Sequence, residues 1–198
     1  MPRRLRYQVA ASLDGFIARE NGDFDWIIGD PAIDFAALHA EFDTLVMGRK
    51  TFQIGEGQGG GSPGKETIVF SRTLPARESK GVRVTAEGPA TVVRALKEKQ
   101  GRDIWLYGGG ALFRTLLDAG LVDSVEVAVI PVLLGSGIPL LPPGGSAKLA
   151  LADHRVLPRS GIVILAYAVA GSKAEKPSIR FVKGTSPRKE KKKTGPGR

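Results

Sequence analysis

Short apolar runs alternate with amphipathic stretches over the first two thirds of the chain, and apolar runs alone follow. Segments rich in branched and aromatic residues predict strands at 5–11, 44–47, 67–70, 82–84, 104–107 and 125–134, with extended chain at 16–18. Helical spacing predicts helices at 31–42, 89–100 and 111–119, and a short helix after Gly48. Strands at 149–157 and 162–169 are predicted to form a hairpin through residues 158–161.

This order predicts one α/β domain over residues 1–170, with a mostly parallel sheet and antiparallel strands at its C-terminal end. Asp30 and Pro31 are the expected N-cap and first residue of the first helix. Residues 55–64 hold six glycines and are predicted to be a mobile loop. Residues 171–198, rich in Lys, Pro, Ser and Gly, are predicted to be a disordered tail, in which only residues 179–182 suit pairing with a sheet edge.

Charge is distributed very unevenly along the chain. The net charge is +9, but residues 173–198 carry ten Lys or Arg against two Glu, so the remaining residues are almost neutral. A nucleic-acid function would therefore depend on the tail, where Phe181 is the only aromatic residue available for stacking on bases. The folded part is not expected to present a basic binding face.

Composition excludes several kinds of site. The chain has no cysteine, which rules out disulfides and thiolate zinc sites, and only two histidines, so no metal site is predicted. No apolar run approaches the roughly 20 residues of a membrane span, and Arg3, Arg4 and Arg6 are unlike a secretory signal. A cytoplasmic protein without membrane association is expected.

A strand that enters three glycines and then a helix is the first candidate ligand site. Gly108, Gly109 and Gly110 follow the strand at 104–107 and precede the helix from Ala111. Glycine lets a phosphate approach the backbone, and the free N–H groups and dipole of a helix start favour an anion. The alternative is a tight strand–helix turn without a ligand. The spacing does not match the dinucleotide-binding pattern G-x-G-x-x-G.

Two further strand ends offer similar groups. Gly48, Arg49, Lys50 and Thr51 follow the strand at 44–47, and Ser71 with Arg72 follows the strand at 67–70. Ligands of open α/β sheets bind beyond the C-terminal ends of the strands. Three such ends with glycine N–H groups, cations and hydroxyls predict a ligand that carries several phosphates.

Four ordered motifs give the sequence a family resemblance. They are YQVAASLDGFIA at 7–18, MGRKTF at 47–52, LYGGGAL at 106–112 and IPVLLGSGIPLL at 130–141. Together they resemble the dihydrofolate reductase superfamily and, more narrowly, the reductase domain of bacterial riboflavin biosynthesis, the RibD C-terminal domain family. The resemblance implies a three-layer α/β/α fold, an NADPH-dependent oxidoreductase and a homodimer. The zinc deaminase often fused to riboflavin reductases has no counterpart here, which leaves the pathway open.

The resemblance also implies roles for individual residues. Ala10 and Ile17 would flank the nicotinamide, and Ser71 with Arg72 would hold the 2′-phosphate that distinguishes NADPH from NADH. The pyrophosphate and the adenosine phosphate would contact Gly48, Arg49, Lys50, Thr51, Gly108, Gly109, Gly110, Ala111 and Leu112.

The substrate side is less sharply defined by the sequence. Asp34 lies near the position at which folate reductases carry their acid, and its alternative role is that of an ordinary acid in a first helical turn. Asp14 is expected to hold its turn, and Trp26 either lines the pocket or packs. For a reductase, three kinds of substrate stay open: a ribosylaminopyrimidine phosphate, a pterin or folate, or another small carbonyl or imine compound. The competing hypotheses are a nucleic-acid-associated protein acting through its tail and an NADPH-binding relative without activity.

Two roles stay open for the apolar strand around residues 125–134 in the homodimer that the resemblance implies. It forms the dimer interface, or it lies at the centre of the sheet.

Overall fold

A computed structural model describes residues 3–56 and 64–171, which form eleven strands and four helices. The strands are β1 (Leu5–Ser12), β2 (Phe16–Ala18), β3 (Phe42–Gly48), β4 (Glu66–Phe70), β5 (Arg77–Ser79), β6 (Val82–Thr85), β7 (Asp103–Gly108), β8 (Ser124–Ile130), β9 (Ile138–Pro139), β10 (Leu149–Val156) and β11 (Val163–Val169). The helices are α1 (Phe35–Ala40), α2 (Arg49–Glu56), α3 (Pro89–Glu98) and α4 (Gly110–Asp118).

Nine of the described strands form one sheet in the order β10-β11-β8-β1-β7-β3-β4-β6-β5. The six strands from β8 to β6 are parallel to their neighbours, whereas β11, β10 and β5 are antiparallel additions at the two ends. Helices flank this sheet in a three-layer α/β/α arrangement, as the sequence predicted. Because parallel strands end at the same edge, the junctions after β1, β3, β4 and β7 all lie at one edge of the sheet.

The core divides into three apolar clusters. The largest joins β1, β7 and β8 to α3 and α4, and in it the Tyr7 and Phe113 rings stack with centroids 4.0 Å apart. On the other face, one cluster gathers Phe42, Met47 and Trp105, and another gathers Trp26 with Ile130 and residues of the β10–β11 hairpin. Of the two roles weighed for Trp26, the structure therefore shows packing.

Two element boundaries predicted from the sequence are wrong. The first helix begins at Phe35 with Asp34 as its N-cap, whereas the Asp30 carboxylate accepts from the N–H of Ala32 in the turn before it. The strand predicted at 125–134 ends at Ile130, because Pro131 has no N–H to continue the ladder. The short strands β5 and β9 were not predicted.

β8 lies between β1 and β11, so it is a central strand of the sheet rather than an exposed surface. Most of the glycine-rich segment 55–64 and the tail from residue 172, including residues 179–182, lie outside the described residues. Among the described residues, no helix is long and apolar enough to cross a membrane.

A buried ionic network lies under the N-terminal half of β1. The Arg6 guanidinium, 2% exposed, donates two hydrogen bonds of 2.8 Å to the Glu126 carboxylate, which is 4% exposed. Glu41 and Asp103 also pair with Arg6, and its guanidinium lies 4.8 Å from the centre of the Phe42 ring. Burial acts to lower the pKa of Arg6, but Glu126 and Glu41 raise it overall, so the group stays charged.

Candidate functional site

The two glycine junctions predicted to bind phosphate lie against each other. β3 and β7 are neighbours, with Met47 opposite Gly108. A Cβ atom added to Gly48 would lie 4.0 Å from the backbone nitrogen of Gly109, and one added to Gly108 or Gly109 would lie 3.4 Å from the Thr51 hydroxyl oxygen. The junctions therefore form one narrow site, with Thr51 between them.

The start of α4 is shaped for a close approach. Gly109 is its N-cap in extended conformation without a side-chain cap, and the Gly108–Gly109 peptide bond is cis. A Cβ on Gly110 would lie 2.7 Å from the carbonyl oxygen of Pro139, so this residue has no room for a side chain. Ala111 is exposed, whereas Leu112 is buried and its N–H donates to the Gly109 carbonyl, so Leu112 does not offer a free donor.

The third strand end adjoins the first two. Gly48 pairs with Phe70 in the β3–β4 ladder, and the N–H of Ser71 donates to the Thr85 carbonyl at 2.9 Å. The Ser71 hydroxyl oxygen accepts from the N–H groups of Thr73 and Leu74, so it holds the turn and retains only its proton for a ligand.

Three cations surround these strand ends. Arg49 donates to the Gln53 side chain at 3.0 Å, while Lys50 and Arg72 are exposed and have no ionic or hydrogen-bonded side-chain partner among the described residues. A guanidinium and an ammonium group without a carboxylate partner are free to meet phosphate oxygens. The site thus combines glycine backbone with positive charge, which suits a polyphosphate ligand.

The neighbouring strands β1 and β7 separate next to this site. The β1–β7 ladder covers only residues 5–7 of β1, and the carbonyl of Gln8 accepts instead from the Trp105 indole N–H at 3.3 Å. The half-buried Ala10 follows at the opening and packs against the cluster of Trp26, whereas Ile17 packs against the cluster beneath α4. The two residues predicted to flank the nicotinamide therefore contact different parts of the core.

The loop wall, residues 131–142, contains most of the family motif at 130–141 and lies against the start of α4, where its Pro139 carbonyl faces Gly110. The Asp14 carboxylate accepts hydrogen bonds from the Ser12 hydroxyl and from the N–H groups of Leu134 and Gly135. The bond from Ser12 has the largest effect in lowering the pKa of Asp14, and the two backbone bonds lower it further. Leu140 then donates to the Gly15 carbonyl at 2.8 Å. Asp14 is structural, as predicted, but besides the nearby Ser12 it holds a backbone 120 residues away, which no local pattern could show.

Asp34, proposed for the substrate side, caps α1, and the nearby His39 packs in the core. Asp34 is half-buried, and one of its carboxylate oxygens accepts from the N–H of Ala37 at 2.9 Å as a helix cap. His39 packs edge-on against Trp105 with ring centroids 5.1 Å apart, and burial followed by the charge of Lys65 lowers its pKa. Among the described residues there is no group of three or more His, Asp or Glu that could hold a metal.

A family model for the RibD C-terminal domain matches residues 3–163, which cover all three strand ends and the loop wall. The chain belongs to the RibD C-terminal domain family. Among relatives of this RibD C-terminal domain is the uncharacterized protein YyaP of Bacillus subtilis (strain 168), 35% identical over 154 residues that cover 70% of the chain and 80% of that protein. The riboflavin biosynthesis protein RibD of Corynebacterium ammoniagenes is 29% identical over 148 residues, 67% of the chain but only 44% of that protein.

Solved structures show the same fold. A putative riboflavin biosynthesis protein from Shewanella sp. PV-4 matches with a TM-score of 0.73 and 26% identity, covering 85% of this RibD C-terminal domain chain and 99% of that one. Dihydrofolate reductase from Enterococcus faecalis, solved with NADP(H), matches with a TM-score of 0.61 and 21% identity over 84% of this chain and 96% of that one. At that identity the match shows the dihydrofolate-reductase-like fold alone.

Proposed function

We propose that the chain is a cytoplasmic NADPH-dependent reductase that transfers a hydride to a small heterocycle of the ribosylaminopyrimidine or pterin type. The observation that carries the proposal is the convergence of the three strand ends, in which Gly109 lies against Gly48 and Thr51 beside two cations without carboxylate partners. Family membership supports a reductase-type role.

The residues present fit NADPH. The backbone around Gly108 and Gly109, with the Thr51 hydroxyl beside it, would hold the pyrophosphate, with Arg49 and Lys50 supplying positive charge. Arg72, at the next strand end, would hold the 2′-phosphate, because a guanidinium fork matches a phosphate dianion. Bound NADPH would supply the hydride from its nicotinamide ring.

The chain itself would place the substrate and exclude water from it. The β1–β7 ladder ends at Tyr7, and the half-buried Ala10 follows on β1. On β7 the rings of the buried Trp105 and the exposed Tyr107 meet edge-on, and the Trp105 indole N–H donates to the Gln8 carbonyl. A planar ring bound where β1 and β7 separate would be held away from water, which would let positioning contribute to the rate. Asp34 is proposed to orient the substrate or deliver its proton.

Arg72→Ala is expected to weaken NADPH binding about 10- to 150-fold, the range of a charge-assisted contact worth roughly 1.5–3 kcal/mol. Binding of NADH, which lacks the 2′-phosphate, should hardly change. Titration of both cofactors by Trp fluorescence measures this, and Arg94→Ala, which removes an exposed arginine of α3, is the matched control. Equal losses for NADPH and NADH would assign Arg72 another role, and wild-type protein that binds neither at millimolar concentration would refute the reductase proposal.

Asp34→Asn is expected to keep NADPH affinity and lower turnover by on the order of 10²-fold, a usual size for a positioned acid–base group. Asparagine caps a helix as well as aspartate does, so this substitution removes the charge and retains the cap that Asp34 gives α1. Loss of NADPH absorbance with pteridine and pyrimidine substrates measures turnover. If turnover is unchanged across the pH range while Asp34→Ala lowers the melting temperature, Asp34 is a capping residue only.

A further inference from the structure

Arg114 of α4 joins the end of the loop wall to the helix that follows the glycine turn at 108–110. Its guanidinium donates to the Pro142 carbonyl at 3.2 Å and to the Gly145 carbonyl at 2.7 Å. It also pairs at 2.8 Å with the carboxylate of Asp118, one turn further along the helix. The Arg114 side chain is only 12% exposed, so its charge lies between helix and loop rather than in solvent.

The backbone that follows the loop wall packs tightly on this guanidinium. A Cβ atom added to Gly144 would lie 2.7 Å from the Arg114 Nε atom and 3.0 Å from its Cζ atom, so the Gly144 backbone lies directly against the group. The described hydrogen bonds between residues 131–145 and α4 are both made by Arg114. In the described part of the chain, this side chain therefore supplies the polar link between the loop and the helix.

The other end of the loop wall is held by the turn after β1. The Asp14 carboxylate accepts from the N–H groups of Leu134 and Gly135. Leu140 donates to the Gly15 carbonyl, and β9 pairs with β2. The loop wall thus spans the distance from the turn after β1 to α4, with an acidic side chain fixing one end and a basic side chain fixing the other.

Between these two ends the loop wall lies on the start of α4. A Cβ atom added to Gly110 would lie 2.7 Å from the Pro139 carbonyl oxygen and 3.1 Å from the Pro142 Cδ atom. Gly110 is the first residue of α4, where unpaired backbone N–H groups favour a phosphate. Arg114 follows Gly110 by four residues, so the two lie on the same face of the helix. A shift of the loop wall at Arg114 would therefore change the space beside the glycine turn.

We propose, on the basis of the NADPH function proposed above, that Arg114 is a positioning residue of the cofactor site. It fixes the loop wall over Gly110 and so sets the space in which the glycine turn receives the pyrophosphate. Pro142 connects the two contacts, since its carbonyl accepts from Arg114 while its ring packs on Gly110. Because Arg114 acts through the loop wall and not on the 2′-phosphate, its loss affects NADPH and NADH alike.

Arg114→Ala in the full chain tests the proposal, with Asp118→Ala as the matched control. Both variants lose the ion pair within α4, but only Arg114→Ala also loses the bonds to the loop carbonyls. Arg114→Ala should weaken binding of NADPH and of NADH by about 10-fold each, the lower end for one charge-assisted contact, because a shifted loop wall misplaces the N–H donors. The KM for NADPH should rise accordingly while kcat at saturating NADPH stays within about 2-fold of wild type. Asp118→Ala should bind as wild type does, and Arg114→Lys, which keeps a donor for the carbonyls, should recover most of the affinity.

Amide hydrogen exchange gives a second readout that needs no cofactor. The N–H groups of Leu134, Gly135 and Leu140 should exchange at least about 3-fold faster in Arg114→Ala than in wild type or Asp118→Ala, because the loop wall opens more often once its α4 end is released. If Arg114→Ala fails to fold, Gly144→Val, whose side chain would displace the Arg114 guanidinium, replaces it under the same criteria.

Three results would overturn this role of Arg114 and leave the reductase proposal intact. They are cofactor affinities of Arg114→Ala within about 2-fold of wild type, an equal loss in Asp118→Ala, and a loss for NADPH without one for NADH, which would indicate direct contact with the 2′-phosphate. Wild-type protein that binds neither cofactor would refute the reductase proposal and the role of Arg114 with it.

Discussion

Arg6→Ala is expected to lower the free energy of unfolding by about 3–5 kcal/mol, the usual cost of removing one partner of a buried ion pair. Glu126, 4% exposed, would lose both guanidinium bonds, with Gln8 and Ser124 as its remaining donors. Denaturation in urea measures the loss. Arg94→Ala, at an exposed arginine without a side-chain partner among the described residues, should change stability by about 0.5 kcal/mol or less.

Removing both charges distinguishes two contributions to the free energy of unfolding: the cost of leaving a buried carboxylate unpaired, and the stabilisation that the intact ion pair provides. The double variant Arg6→Leu with Glu126→Leu should recover most of the stability, because apolar residues of similar volume often replace a buried pair without loss. A double variant no more stable than Arg6→Ala would show that Glu41, Asp103 and Phe42 depend on Arg6 more than Glu126 does.

Gly109→Val is expected to weaken binding of NADPH and NADH alike by about 10²- to 10⁴-fold. The branched side chain would enter the space next to Thr51 and displace the pyrophosphate, at the cost of about two charge-assisted contacts of 1.5–3 kcal/mol each. Calorimetric titration of both cofactors measures the loss.

Gly88→Val is the matched control for this substitution. Gly88 and Gly109 are both helix N-caps in extended conformation, and neither makes a side-chain cap bond. Valine is equally unfavourable at both caps, so any difference in cofactor affinity reports on the ligand site and not on the helix. Equal effects of the two substitutions, or NADPH affinity unchanged in Gly109→Val, would remove the glycine turn from the cofactor site.

Local sequence predicted the strand ends well because each is a short contiguous signal. Buried strands that end in Gly48 or Gly108, or just before Ser71, need only the rule that parallel strands end at one edge. The start of the first helix was predicted wrongly because Asp30 and Asp34 both suit an N-cap. In the structure the Asp34 carboxylate accepts from the N–H of Ala37 and caps the helix, while Ala32 and Ile33 pack on the cluster of Trp26 before the helix begins.

Features that depend on distant residues could not be predicted. Arg3, Arg4 and Arg6 entered the sequence analysis only as evidence against a secretory signal, yet Arg3 and Arg6 are buried and all three pair with carboxylates from β3, β7 or β8, or near them. The near-zero net charge of the folded part does not reveal such pairing, because a sum of charges contains no information about where the charges lie. The exposure of Leu149, Leu151 and Val156 on β10 could be predicted only with the sheet order, which places β10 at an edge.

The position of β1 also sets an order of events during synthesis. β1 emerges first, but its partners are β7 and β8, and Ser12 pairs with Ile130. At about 5–20 residues per second, translation takes roughly 6–24 s to reach that partner. Leu5 and Tyr7, fully buried in the finished protein, lack their native neighbours until first β7 and then β8 are made. The nascent chain is therefore most exposed to aggregation before β8 is made, and β3 with β4 forms the earliest native pair available to it.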